Sequence, residues 1–342
     1  MLSVKNPIMT GFFPDPSICR VGNKFYTVHS TFAYFPGVPV FESEDLVHWN
    51  LISNVLDRDS QVPLSGCQHS QGIFAPTIRY HKGTWYMITT NVSDQGNFIV
   101  TAKDPRGPWS EPYYLGESTG GIDPSLFFDD DGTCYYIGQR PRSAGYRYNG
   151  DCEIWIQTLD LDTMQLKPDA TIVLTGFQRK AIWPEGPHLY KKDGYYYILH
   201  AESGTSIHHS VMIARSKNVF GPYEYCPCNP ILTHRHLGAQ YPVTCVGHAD
   251  LVDDGNGNWY MVVLACRPNQ GYTLLGRETF LAKVTWEDGW PVVNAGVGHL
   301  EEVVTLPYEG QPSDDVPQCK TYTFDTPSLP LELLTLRNHR DH

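Results

Sequence analysis

One phrase recurs five times along this chain of 342 residues. It consists of a small or acidic residue, Pro or Ala, one variable position, an apolar residue, a short turn and then a pair of aromatics. The copies are Asp15-Pro16-Ser17-Ile18 leading to Phe25-Tyr26, Ala75-Pro76-Thr77-Ile78 to Trp85-Tyr86, Asp123-Pro124-Ser125-Leu126 to Tyr135-Tyr136, Gly186-Pro187-His188-Leu189 to Tyr196-Tyr197, and His248-Ala249-Asp250-Leu251 to Trp259-Tyr260. Each reads as a strand, a hairpin turn with Gly or Asn where φ must be positive, and a second strand opened by aromatics. The period is that of one propeller blade. Echoes at residues 43–49, 102–109 and 215–223 read as turns between outer strands. The phrase therefore predicts an all-β, five-bladed β-propeller whose first strand in each blade lines the central axis. Sparse charge (18%) and abundant aromatics (13%) favour strands over helices in the same way.

Equivalent positions of a radial repeat converge. The residues opening each phrase, Asp15, Ala75, Asp123 and His248, together with Glu185 just before the fourth copy, are expected to face one funnel. Asp-Pro pairs also initiate turns, so Asp15 and Asp123 could each simply cap the start of a strand. Against that, unpaired carboxylates gathered at one point raise one another's pKa and each costs desolvation, which a pure scaffold would avoid. Glu185 lies in Trp183-Pro184-Glu185-Gly186-Pro187-His188, on a backbone stiffened by two prolines and beside an indole able to exclude water. Desolvation raises a carboxyl pKa, as a proton donor near neutral pH requires.

A net charge of −12 with no basic cluster excludes a nucleic-acid backbone or an anionic membrane as the natural partner. No stretch approaches the ~20 apolar residues of a membrane span, and Met1-Leu2-Ser3-Val4-Lys5-Asn6-Pro7 lacks the apolar core of a secretory signal. A cytoplasmic protein is expected. Its nine cysteines fit reduced, buried thiols. Cys226, Cys228, His234 and His236 could be drawn as a zinc site, though their spacings fit known ligand patterns poorly. Asn91-Val92-Ser93 matches a glycosylation acceptor but has no meaning in that compartment.

The segments Phe12-Phe13-Pro14-Asp15-Pro16-Ser17, Ser30-Thr31-Phe32 with Phe35-Pro36-Gly37, Gly72-Ile73-Phe74-Ala75-Pro76, Gly121-Ile122-Asp123-Pro124-Ser125 and Glu185-Gly186-Pro187-His188 resemble glycoside hydrolase family 43. The stretch from Gly276-Arg277-Glu278 through Trp290-Pro291 resembles that of its β-xylosidases. The resemblance implies a five-bladed propeller enzyme that inverts anomeric configuration, with Asp15 as general base, Glu185 as general acid and Asp123 as the carboxylate that tunes and orients the acid. It implies a substrate-binding set of Phe32, Phe74, Ala75, Thr205, His248 and Arg277. Many relatives carry Trp where this chain has Phe74, which leaves a smaller stacking surface. Phe32 and Phe74 could instead be core, and Arg277 could pair with Glu278 at the surface. His248 corresponds to a histidine that in several members holds, with waters, a divalent ion, calcium being the first choice; a lone histidine is more often simply hydrogen-bonded. The acidic turn Asp129-Asp130-Asp131-Gly132 is a weaker calcium candidate. Residues 1–305 form the expected catalytic propeller, and 306–342 a tail or linker resembling the opening of a β-sandwich domain that is not present, so the pocket is expected to be open or closed by another subunit in a homo-oligomer. The substrate implied is a xylo-oligosaccharide yielding terminal β-1,4-linked xylose, with α-L-arabinofuranosidase activity alongside. The alternatives are an arabinofuranosidase or arabinan-degrading enzyme and a non-catalytic sugar-binding propeller.

Overall fold

The aromatic doublets explain how the blades stack. Neighbouring residues of a strand point to opposite faces, so a sheet buried on both sides needs one large side chain for each. In the computed structural model, which describes residues 1–116, 120–310, 320–325 and 329–337, every doublet is divided in this way. Phe25 packs toward blade 5 and Tyr26 toward blade 2, Trp85 toward blade 1 and Tyr86 toward blade 3, and the other three pairs alternate likewise. Five apolar clusters result, one in each wedge between adjacent blades. The core is thus a ring of five wedges around a polar axis.

Blade 1 comprises Ser17–Val21, Lys24–Val28, Gly37–Ser43 and Asn50–Leu56; blade 2 comprises Thr77–His81, Thr84–Asn91, Gly96–Ala102 and Tyr113–Tyr114. Blade 4 comprises Glu185–Lys192, Tyr195–Glu202, Ser210–Ser216 and Glu224–Tyr225, and blade 5 Thr244–Asp253, Trp259–Cys266, Glu278–Glu287 and Trp290–Val293. All are antiparallel meanders. Blade 3 (Ile122–Phe128, Cys134–Pro141, Cys152–Asp160 and Gln165–Leu166) carries an additional strand, Thr171–Thr175, on its third. The sequence echoes are the expected outer turns, in which Asp45, Asp104 and Asn218 accept hydrogen bonds from main-chain N–H groups two residues on. Leu2–Lys5 pairs with Val303–Leu306 and closes the ring beside the wedge between blades 5 and 1. The division expected after residue 305 therefore falls inside a strand. Further on, Thr335–Leu336 pairs with Tyr34–Phe35 of the first blade's loop; residues 311–319, 326–328 and 338–342 of the expected tail lie outside the described residues.

The third position of the phrase, variable in sequence, is polar in all five copies: Ser17, Thr77, Ser125, His188 and Asp250, each buried. Together they stitch the inner strands into a belt. Ser17 donates to Asp250 across the 5–1 junction, Thr77 to the Pro124 carbonyl and Ser125 to the Pro187 carbonyl. Arg79 crosses the axis to Ser17, Asp250 and His188, and Tyr190 donates to Asp250. Prolines at the second position fit this place, since the innermost strand is a sheet edge whose N–H groups are not all needed by a ladder.

Candidate active site

In blades 1, 3, 4 and 5 the inner strand opens on a left-handed backbone. Asp15, Asp123 and His248 have φ of 53°, 54° and 53°, and Gly186 has 58°. For a non-glycine residue this backbone costs about 1 kcal/mol, a strain of the kind that collects at functional sites. Register shifts follow at Ile122/Ser125, Glu185/His188 and Gly247/Ala249, and such bulges re-aim side chains. Glycine is required at position 186, because a Cβ there would lie 2.9 Å from the His248 ring.

The re-aimed side chains meet. Asp15, which is buried, accepts hydrogen bonds from Ser30 Oγ (2.6 Å) and Arg277 Nη1 (2.8 Å), with His248 Nδ1 4.0 Å away. Burial opposes its charge, but Arg277, His248, Ser30 and His209 together hold its pKa below the usual carboxylate value. Asp123 is pushed up to about 6, chiefly by burial; His248 opposes this, Asp15 adds to it, and the Gly186 N–H donating to Oδ2 at 3.0 Å opposes it again. Glu185 is raised well above the ordinary value by burial first, then by the charges of Asp123 and Asp15, against the pull of Arg277. Asp15 is thus held toward its anionic form, while Asp123 and Glu185 are both pushed toward the protonated form. An anion beside carboxyl groups biased to keep a proton is the division of labour that acid–base bond cleavage requires.

Two cavities open beside this trio. One, of about 530 Å³, is lined by Phe12, Phe32, Tyr34, Thr205, Cys245, Cys266 and Arg277 among others. The other, of about 660 Å³, is lined by Glu185, Trp183, Gln139 and the blade 3 loop Tyr146–Asn149. Trp183 stands at their boundary. Its N–H donates to the Gly150 carbonyl, and its ring covers Gly204, next to Thr205. Arg277 also lies over the Phe32 ring, 4.9 Å from its centroid, and Phe32 meets Phe74 edge-on at 5.3 Å. The structure therefore brings together Asp15, Asp123, Glu185, His248, Arg277, Phe32 and Thr205. Phe74 contributes through Phe32, and Ala75 is buried on neither cavity wall. The surface alternative for Arg277 fails, because Glu278 is buried and paired with Arg267 at 2.7 Å.

Ser30, His209 and the glycine at 186 were not legible as site residues. Ser30 lies in the Ser30-Thr31-Phe32 segment quoted above, which was its only signal. His209 is a buried imidazole whose Nδ1 contacts the Cys245 carbonyl at 3.0 Å, and nothing in its sequence surroundings marks it.

For a divalent ion the fit is poor: among the described residues no three His, Cys, Asp or Glu side chains gather around a point. His248 would be the ion's sole side-chain ligand beside an Asp15 already held by Arg277, and no chemical step is routed through a metal. The acidic turn is neutralised instead by Lys191, 2.6 Å from Asp129 and 2.8 Å from Asp130. His234 has both ring nitrogens engaged, with the Val243 carbonyl and the Leu300 N–H, so the zinc drawing also fails.

A five-bladed propeller whose funnel keeps one carboxyl ionised and another protonated defines a class of enzymes built to cleave glycosidic bonds. The chain belongs to the glycosyl hydrolases family 43, which residues 4–291 match. It is 66% identical over 307 residues to a xylosidase/arabinosidase from Butyrivibrio fibrisolvens, covering 90% of this chain and 59% of that protein. It is 44% identical to a non-reducing end alpha-L-arabinofuranosidase from Bacteroides ovatus, covering 98% of this chain and 61% of that one. The solved structure of a xylan beta-1,4-xylosidase from Bacillus halodurans superposes with a TM-score of 0.88 at 40% identity, over 99% of this chain and 65% of the other. The chain spans about three fifths of the length of the curated relatives it matches.

The raised Glu185 carboxyl makes a prediction. Activity should fall as pH rises through the Glu185 pKa, because the acid is then lost. Replacing Asp123 by Asn removes the anion that helps keep Glu185 protonated, so the alkaline limb of kcat/KM should move to lower pH. Paired pH profiles check this; a limb that stays in place or moves upward contradicts the assignment.

Proposed function

We propose that the chain is an inverting exo-glycosidase that releases terminal β-1,4-linked xylose from short xylo-oligosaccharides, with α-L-arabinofuranosidase activity alongside. The observation that carries this reading is the opposed surroundings of two carboxyl groups in one funnel: Asp15 paired with Arg277 and Ser30, and Glu185 buried and biased toward its protonated form. Glu185 gives its proton to the glycosidic oxygen while Asp15 takes one from a water attacking the opposite face of the sugar. Inversion requires room for that water, a carboxyl separation of ~6.5–9.5 Å. Asp123 keeps the acid protonated and fixes the Gly186 amide behind it. Arg277, Thr205 and Phe32 line the cavity in which the terminal sugar would sit. The printed names of the relatives, one a xylosidase/arabinosidase and another an arabinofuranosidase, support both the main activity and the second. Among the described residues no helix is long and apolar enough to cross a membrane, and a cytoplasmic enzyme acting on imported oligosaccharides is the setting proposed.

The test is hydrolysis of nitrophenyl β-xyloside and nitrophenyl α-arabinofuranoside. Both should be cleaved, the xyloside with release of α-xylose detectable by NMR. Inactivity on both overturns the enzyme reading, and initial release of β-xylose overturns inversion. The calcium expected at His248 is read in the same assay: with so poor a ligand set, chelator and added calcium should leave the rate unchanged, and a rate lost to chelator and restored by calcium would place a cation there.

A further inference from the structure

Two cysteines stand in the wall of the proposed sugar pocket, and no step of the hydrolysis uses them. Cys245 is half-buried and Cys266 buried, and both line the 530 Å³ cavity with Arg277, Thr205 and Phe32. They belong to the paired strands Thr244–Asp253 and Trp259–Cys266, in which Thr244 lies opposite Cys266. Strict alternation would send Cys245 to the face opposite Thr244. Its left-handed backbone (φ 58°) and the register shift that follows interrupt that alternation, and both residues line the same cavity.

We propose that Cys245 and Cys266 form a dithiol modification site on the pocket wall, oxidised by peroxide to a disulfide and shielded when a sugar occupies the pocket. The Cys245 sulfur attacks one oxygen of hydrogen peroxide and breaks the O–O bond, giving a sulfenic acid and one water. Cys266 then attacks that sulfur, forming the S–S bond and expelling the hydroxyl, which leaves as a second water with the Cys266 proton. The two sulfurs lose two electrons in all, and the peroxide gains them. The neighbouring Cys266 thiol, with help from Thr244 and against burial, draws the Cys245 pKa down to about 6, while Cys266 is raised; one sulfur is the nucleophile and the other its resolving partner. Oxidation also reaches the catalytic machinery, because the Cys245 carbonyl is in contact with His209 Nδ1, and His209 is one of the groups acting on Asp15.

Shielding and loss of hydrolysis rest on the functional reading above; disulfide formation does not. The full chain is treated with hydrogen peroxide, with and without saturating xylose, and followed by peptide mass mapping and by xyloside hydrolysis. Expected are a linked Cys245–Cys266 peptide, its formation slowed at least fivefold by xylose, and hydrolysis lost in step with it and restored by dithiothreitol. In Cys245→Ser, whatever activity remains should no longer show that reversible loss; in Cys266→Ser, excess peroxide should carry the unpartnered sulfenic acid on to sulfinic acid, a loss dithiothreitol does not reverse. No linked peptide, or one that forms equally fast with xylose present, or one that leaves hydrolysis untouched, overturns the proposal. Formation of the linkage in a protein that hydrolyses neither nitrophenyl glycoside would overturn the functional reading alone.

Discussion

Glu185→Ala should lower kcat/KM on xylobiose by ~10²–10⁴-fold, the range general acid catalysis supplies. The deficit should shrink on a nitrophenyl xyloside, because nitrophenolate leaves without needing a proton. The contrast between the two substrates identifies the missing function as proton donation rather than binding. The physical reason lies in the surroundings of this carboxyl. Burial and two neighbouring carboxyl groups push its pKa well above that of a surface glutamate, and a backbone fixed by Pro184, by Gly186 beneath the His248 ring and by the Gly186 amide on Asp123 holds it in place. Alanine removes the donor without disturbing those supports. A variant equal to wild type on xylobiose would sink the assignment, and equal losses on both substrates would point to a binding defect.

Asp250→Ala should be the most destabilising single change, by about 3–5 kcal/mol in urea unfolding, the usual result of removing one member of a buried ion pair. Asp250 is fully buried. It accepts from Ser17 Oγ (2.8 Å), Ile18 N (3.0 Å), Arg79 Nη1 (3.0 Å) and Tyr190 OH (2.5 Å), tying blades 1, 2 and 4 to its own. Arg79 and these hydrogen bonds overcome the burial cost and bring its pKa down to about 2. Without it the Arg79 guanidinium is left inside the ring with no anion, although His188 still contacts it. A double variant, Asp250→Ala with Arg79→Met, should recover part of the loss by removing the stranded charge. A single variant within 1 kcal/mol of wild type would show that the belt contributes little.

Much of this was legible because a radial repeat converts spacing along the chain into direction in space. The aromatic doublets and hairpin turns gave the blades, and the phrase starts gave Asp15, Asp123 and His248 a common target. The third phrase position was misjudged as merely variable; that it was polar in all five copies was the missed signal of the belt. Blade 3's added strand, Thr171–Thr175, carries no copy of the phrase, so nothing marked it. Likewise the state of each carboxyl depends on groups distant in sequence. Arg277 on Asp15 and Asp15 on Glu185 are relations between blades, and no local pattern encodes how much burial and how many charges each acid meets. His209 and the Cys245–Cys266 contact were hidden for the same reason.

The bond between Arg277 and Asp15 joins residues 262 positions apart. A growing or refolding chain can build the first blades, with Asp15 already in its bent backbone, long before the fifth is made. Until that last blade docks, Asp15 lacks the cation that most favours its charge, and Glu185 lacks the anion that depends on it. Long-range closure of this kind comes late because the entropy of a large loop must be overcome first. Partly assembled propellers would therefore be hydrolytically silent, and the onset of sugar release during refolding would time the closing of the ring.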